Sequence, residues 1–370
     1  MPSPEPPAPA RTPRPRRRVG RAAVLWGLGL FAAGQMVFVI LIDTVLPEMR
    51  DPEWGYRRLA LRRFRAGRPD APLAVVVGSS RVGQGFVPES LPAGALTAPD
   101  GTPAAAFSVT HAGAGPIHNL LTLNRLIADG HRPDWLVIEV MPAFLRYDER
   151  YSENYWLNFH TFGTGDLRVL HGRVKTDRLW ANWARCRAMA WHRHRVWILN
   201  RLAPDWVIRG PTFDDFRGRG PLGGPAAGMP RPSPAQRWAA VRQTHSQYAH
   251  AFPGLSVGER PARALDDTLH LCRRAGIPVA LLLMPEGDEF RAWCPPDAAA
   301  RIDAFLQRLA AEHRVPLIDA RRWMPGEAFV DGHHLTAGGA EAFTARLAAE
   351  GLQPLVSGRL APPSAPGESR

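Results

Sequence analysis

Apolar residues fall along this chain in two patterns. One is a single long run near the start. The other is a series of short runs alternating with stripes at helical spacing. The long run is AAVLWGLGLFAAGQMVFVILI, residues 22–42, which carries no charge and one polar side chain, Gln35. Its length suits a membrane-spanning helix. A buried core helix and a cleaved signal peptide are the competing readings. No small-x-small cleavage site is clear, and DTVLPEMR follows the run, so an uncleaved anchor is expected.

The short runs begin with LAVVVG (73–78), a strand buried on both faces, as parallel sheets require. AAAFSV (104–109) is a weaker second strand. PIHNLLTLNRLIADG (116–130) starts on proline, ends on glycine and reads as a helix. DWLVIEVMP (134–142), IPVALLLMP (277–285) and VPLIDAR (315–321) complete five strands. Between and after them, ARALDDTLHLCRRAG sets Leu265, Leu269 and Cys272 on one stripe, AAARIDAFLQRLAAEH is a further helix, and a final helix lies near AGGAEAFTARLAAEG. This alternation predicts an α/β domain with a mostly parallel sheet covered by helices. Ligands in such sheets sit beyond the carboxyl ends of the strands.

The pattern divides the chain into five parts. Residues 1–21 form a disordered basic tail, 22–42 the transmembrane helix and 43–70 a polar stalk, helical around YRRLALRRFRAG. Residues 71–352 form the α/β domain, and 353–370 a disordered end. An insertion at 146–255 breaks the strand–helix rhythm. Its stretch RLWANWARCRAMAWHRHRVWILNRL reads as an amphipathic helix bearing Trp180, Trp183, Trp191 and Trp197. Tryptophan with arginine suits a membrane surface or a glycan groove; a helix packed on the sheet is the alternative.

Charge adds a direction. The net charge is +12, and Lys175 is the sole lysine. Six arginines crowd RTPRPRRRVGR (11–21), directly beside the apolar run, which favours anionic lipid over nucleic acid as their partner. By the positive-inside rule the N-terminus stays cytoplasmic and the body faces the periplasm or cell exterior. Cys186, Cys272 and Cys294 have no metal-ligand spacing. At most one disulfide can form among them, with Cys186–Cys294 the arithmetic choice, and Cys272 reads as core.

Candidate chemistry centres on two stretches. GSSR follows the first strand, putting Ser79, Ser80 and Arg81 at its carboxyl end. A serine hydroxyl is a weak nucleophile until a base takes its proton, and the base needs a group to fix its tautomer. DGHHLTAGGA (331–340) offers Asp331 and His334, whose spacing on a turn can bring the carboxylate to one ring nitrogen. His333 is expected to point elsewhere. A solvated histidine pair is the plainer alternative.

VVVGSSR and DGHHLTAGG resemble the first and last blocks of the SGNH/GDSL hydrolase superfamily, and HAGAG (111–115) its glycine block, with His111 in place of asparagine. The resemblance spans most of residues 73–350. It implies a three-layer sandwich with a five-stranded parallel sheet. It implies Ser80 as nucleophile, His334 as base and Asp331 as its orienter, with backbone N–H groups of Ser80 and Gly113 as oxyanion donors. The family's Gly-x-Asn-Asp block, which supplies a third donor, has no clear counterpart; Asn154 and Asn158 lie beyond the third strand without its context. Arg81 either supplies charge beside the oxyanion or pairs with Glu139. Ser79 is expected either to cap the following turn or to hydrogen-bond to groups behind the site. Glu286 either lines the cleft or is a solvated loop residue.

These residues point to a serine-dependent acyl-ester hydrolase or O-acyltransferase on a membrane anchor. The resemblance implies that the membrane is a bacterial inner membrane and the substrate a cell-envelope glycan. The reaction requires no metal or cofactor. Expected partners are the membrane through residues 22–42, an envelope polysaccharide and its biosynthetic proteins; no nucleic acid is expected. The alternative class is a catalytically silent glycan-binding or polysaccharide-assembly protein that keeps the fold.

Overall fold

The computed structural model describes residues 16–146, 153, 157–174, 176–206, 220–225, 228–360 and 362. The expectations of disorder at 1–15 and 363–370 lie outside these residues.

A long helix, α1 (Arg16–Ile40), continues through a wider turn at Leu41–Val45; Gly20–Val45 is long and apolar enough to cross a membrane. The chain then enters α2 (Pro47–Arg50) and α3 (Pro52–Gly67), the latter started by Asp51, whose carboxylate accepts the Trp54 N–H. Five strands follow: β1 (Leu73–Gly78), β2 (Ala105–Thr110), β3 (Trp135–Glu139), β4 (Val279–Leu283) and β5 (Leu317–Asp319). They form one sheet in the order β2-β1-β3-β4-β5, every pair parallel. Strand order reverses at β1, and sheets of this kind place their ligands at such a point, beyond the carboxyl ends of the strands.

The helices between are α4 (Ser80–Gly85), α5 (Pro116–Ala128), α6 (Thr164–Leu170), α7 (Thr176–Ala188), α8 (Ala190–Arg193) and α9 (Arg195–Leu202). After them come α10 (Pro234–Tyr248), α11 (Glu259–Ala275), α12 (Asp288–Ala292), α13 (Pro296–His313) and α14 (Ala337–Leu347). Because strand side chains alternate, β1 feeds two cores. Leu73, Val75 and Val77 meet Leu123 and Leu126 of α5, Leu265 and Leu269 of α11, and Ile302 and Leu306 of α13. Ala74 and Val76 meet Val82 of α4 and Phe343 and Leu347 of α14. The architecture is a three-layer α/β sandwich, as the strand–helix rhythm predicts.

Several expectations change. Residues 47–70 do not form a free stalk: α3 lays Ala60 and Leu61 into the core, and Arg57 donates to Thr110 Oγ1 at 2.8 Å. Arg62 and Arg63 of that helix are exposed, and together with the buried Arg57 they mask its apolar face in the sequence. The end expected to be loose from 353 is ordered to 360, with Leu355 and Val356 buried. All three cysteines are free thiols, with Cys186 and Cys272 buried. The tryptophan-rich stretch is three helices rather than one, broken at Met189 and His194. Farther on, Leu222 accepts the Ser108 N–H at 2.8 Å, so part of the insertion covers the outer edge of β2.

Candidate active site

The turn after β1 is shaped by a close approach. A Cβ on Gly78 would lie 2.4 Å from Glu139 Oε2 and 2.6 Å from Val82 Cγ2, so only glycine fits. Glu139, at the end of β3, accepts the Ser79 N–H at 2.6 Å. Ser79 is buried, and its hydroxyl accepts the Arg81 N–H at 3.1 Å, capping α4. The next residue, Ser80, is half-buried and opens that helix. Its Oγ lies 2.9 Å from His334 Nε2.

His334 sits in the loop between β5 and α14. Asp331 organises that loop: Oδ1 accepts the N–H of His334 at 2.8 Å and of His333 at 3.1 Å, while Oδ2 lies 2.7 Å from His334 Nδ1. Burial alone would raise the Asp331 pKa. The hydrogen bonds and charges of His333 and His334 outweigh it and hold the carboxyl far below its ordinary range. A carboxylate at Nδ1 keeps the proton there and leaves Nε2 as an acceptor facing Ser80. His333 does not point elsewhere, contrary to the expectation from the sequence. Its Nδ1 lies 3.2 Å from Asp331 Oδ1 and its ring packs against His334 with centroids 3.9 Å apart, while Phe290 stacks on it at 5.2 Å and Tyr248 meets its edge. Burial, with the neighbouring His334 charge, lowers its pKa to about 4.

Ser80 and Gly113 follow adjacent strands. Gly78 and Thr110 are register partners, and the His111 N–H donates to Gly78 O at 3.0 Å. Gly113 has φ of 69°, a left-handed conformation that costs glycine nothing. Asn154 lies outside the described residues. Asn158 is exposed and precedes a short turn at Phe159–Thr161.

Arg81 is 1% exposed and braces the turn from beneath rather than facing the cleft. One terminal nitrogen donates to Met284 O at 3.0 Å and Pro285 O at 2.8 Å, and lies 3.4 Å from Glu286 Oε1. Its Nε is 3.8 Å from Glu139 Oε1. Glu286 is therefore a buried partner of Arg81 rather than a solvated loop residue, and it also lines a cavity of about 360 Å³ with Phe290, Arg291 and Arg321. Burial raises the pKa of both Glu139 and Glu286, and the Arg81 charge opposes the shift.

Three further residues shape the glycine loop. Glu153 accepts the N–H groups of Gly115 at 3.0 Å and Ile117 at 2.9 Å, and its Oε1 lies 2.7 Å from His118 Nδ1. His118 packs on His111, whose Nε2 is 3.2 Å from Glu53 Oε2 in α3. His111 thus ties the loop to α3, which follows the long apolar helix after one short helical turn. It also lines a cavity of about 240 Å³ with Arg50, Asp51, His160 and His194. No sequence motif marks Glu53 or Glu153; their partners in the glycine loop are 58–59 and 35–38 positions away.

Among the described residues, two groups place metal-type donors within 4.8 Å of one another: Asp331–His333–His334 and Asp266–His270–His313. In the first, Asp331 and His334 already bond each other. In the second, His313 Nε2 lies 2.6 Å from Asp266 Oδ1. A metal would have to displace those bonds.

The sheet order, helical layers and N-terminal apolar helix are consistent with an SGNH/GDSL-like topology. No family model matches the chain, and no curated protein matches it in sequence.

Proposed function

We propose that this protein is a membrane-anchored serine acyl-ester hydrolase or O-acyltransferase. The observation that carries the reading is the relay Ser80 Oγ–His334 Nε2–His334 Nδ1–Asp331 Oδ2, at 2.9 and 2.7 Å. Ser80 attacks an ester carbonyl while His334 takes its proton. Negative charge then grows on the carbonyl oxygen, where the backbone N–H groups of Ser80 and Gly113 receive it; losing one such donor typically costs about 2.7–4 kcal/mol. The C–O bond to the leaving alcohol breaks, His334 returns the proton to that oxygen, and an acyl-Ser80 remains. Water or a sugar hydroxyl then attacks the acyl group by the same steps in reverse.

The acceptor proposed is a cell-envelope glycan, and the body is proposed to lie outside the cytoplasm. The apolar span with arginines on its free flank supports that placement. A fluorophosphonate probe, which reacts only with an activated hydroxyl, tests the reading on the detergent-solubilised full chain. Labelling at Ser80 is expected, together with acetyl-ester turnover or transfer to oligosaccharide. A folded protein inert in all three assays, with glycan binding unchanged in Ser80→Ala, would establish the silent binding class instead.

A further inference from the structure

The apolar span is not bare along its whole length. Most of its large side chains face outward, among them Val24, Leu25, Trp26, Phe31, Met36 and Val37. Near the folded body, however, Gln35, Phe38 and Ile42 are buried, at 6%, 5% and 1% exposure. What covers them is the insertion. Ala190 of α8 is buried against Phe38 and Ile42, and Trp191 stacks on Phe38 with ring centroids 4.4 Å apart. Arg187 of α7 pairs with Asp43, the residue after the uncharged run 22–42, and Asp43 also pairs with Arg50.

The depth of these contacts follows from helix geometry. Phe38 and Gln35 lie four and seven residues before Ile42, the last residue of the apolar run. At 1.5 Å per residue they sit about 6 and 10 Å inside the span. If α1 crosses a bilayer, Ala190 and Trp191 are at hydrocarbon depth with it.

The insertion is chemically suited to that depth. Its exposed side chains include Trp180, Met189, Trp191, Val196, Leu202 and Trp206, the last two at 79%. Arg185, Arg193 and Arg195 are exposed between them, with stems long enough to reach headgroups. The break between α7 and α8 frees N–H groups at the start of α8, which hydrocarbon cannot satisfy. One of them, Trp191 N–H, donates to Gln35 Oε1 at 3.2 Å. The one polar side chain of the span and a helix end with no internal partner thus satisfy each other.

We propose that residues 176–206 form a second membrane contact: a helical platform half-sunk in the leaflet nearest the body, clasped to the span through Gln35 and Phe38, with phospholipid as its partner. The proposal stands on the anchor and is independent of the acyl chemistry at Ser80.

The test uses the full chain in nanodiscs containing a phospholipid with a diazirine partway along its acyl chain, with crosslinks mapped by peptide mass spectrometry. Crosslinks are expected on α1 and on peptides spanning Met189–Trp206, and not on the exposed face of α13. Crosslinks confined to α1 would overturn the proposal and assign the aromatic face to a protein partner. In the double variant Leu202→Glu, Trp206→Glu, both changes fall on exposed side chains, so the fold is retained. Labelling of 189–206 relative to α1 should drop at least threefold; an unchanged ratio would also overturn the proposal.

Discussion

Glu139 and Ser79 meet at 2.6 Å, carboxylate oxygen to backbone N–H, across the carboxyl ends of β3 and β1. That bond sets where the chain turns, and so where the next hydroxyl points. It is also a buried charge that depends on Arg81 for compensation.

Removing the carboxylate should therefore cost stability and disturb the site together. Glu139→Ala leaves Arg81 buried with less countercharge and Ser79 N–H without its acceptor, and a loss of about 3–5 kcal/mol is expected. Glu139→Gln keeps an acceptor and should lose less. Urea midpoints of the detergent-solubilised chain measure both. Equal losses in the two variants would show that the charge is the whole effect and the hydrogen bond adds nothing.

Gly78→Ala tests the same corner by volume. The added methyl meets Glu139 Oε2 and Val82 Cγ2 well inside contact distance. A loss at the upper end of the roughly 1–3 kcal/mol range for overpacked cores is expected, with slower probe labelling at Ser80. Wild-type stability would mean that Glu139 can swing away freely.

The relay predicts a graded series in probe labelling. Ser80→Ala should abolish it and His334→Ala nearly so. Asp331→Asn keeps the backbone contacts but presents an amide to Nδ1, which favours the wrong tautomer; a fall of up to about 10⁴-fold is expected. Ser79→Ala removes a cap, costs about 1 kcal/mol in stability and leaves labelling nearly intact. Labelling found on Ser79 instead would move the nucleophile by one residue.

His333 gives a pH signature. Its folded pKa, about 4, lies below the ordinary value of 6.5, so between these values the unfolded chain binds the extra proton. The stability from burying it neutral is fully present above pH 6.5 and is lost as pH falls towards 4. The span is on the order of 3 kcal/mol. His333→Phe should flatten that part of the stability profile, measured by urea unfolding at pH 7.5, 6 and 5. An identical slope in the variant would remove His333 as the cause.

Topology has its own test. A reporter fused after Leu360 should be active only outside the cytoplasm. Activity only inside would reverse the chain in the membrane and remove the envelope substrate.

The sequence by itself determined the strands, because runs such as LAVVVG and ALLL are apolar at every position and nothing but a doubly covered sheet buries them. It also determined the span, and the stretches from which Ser80, Asp331 and His334 come, since those depend on local spacing and turn residues. Tertiary structure alone decided the rest. Ser80 meets His334 across 254 positions, and only the sheet order brings them within 2.9 Å. Arg81 faced two readings in sequence; packing beneath the turn, between Glu139 and Glu286, chose between them. The segment expected to be a stalk became a core helix because Ala60 and Leu61 find the sheet, which a pattern dominated by arginine conceals. The polar residue Gln35 was legible as an anomaly, but its partner, a backbone N–H 156 positions away, was not. Periodicity records which face of an element is buried; it carries no record of which distant element does the burying.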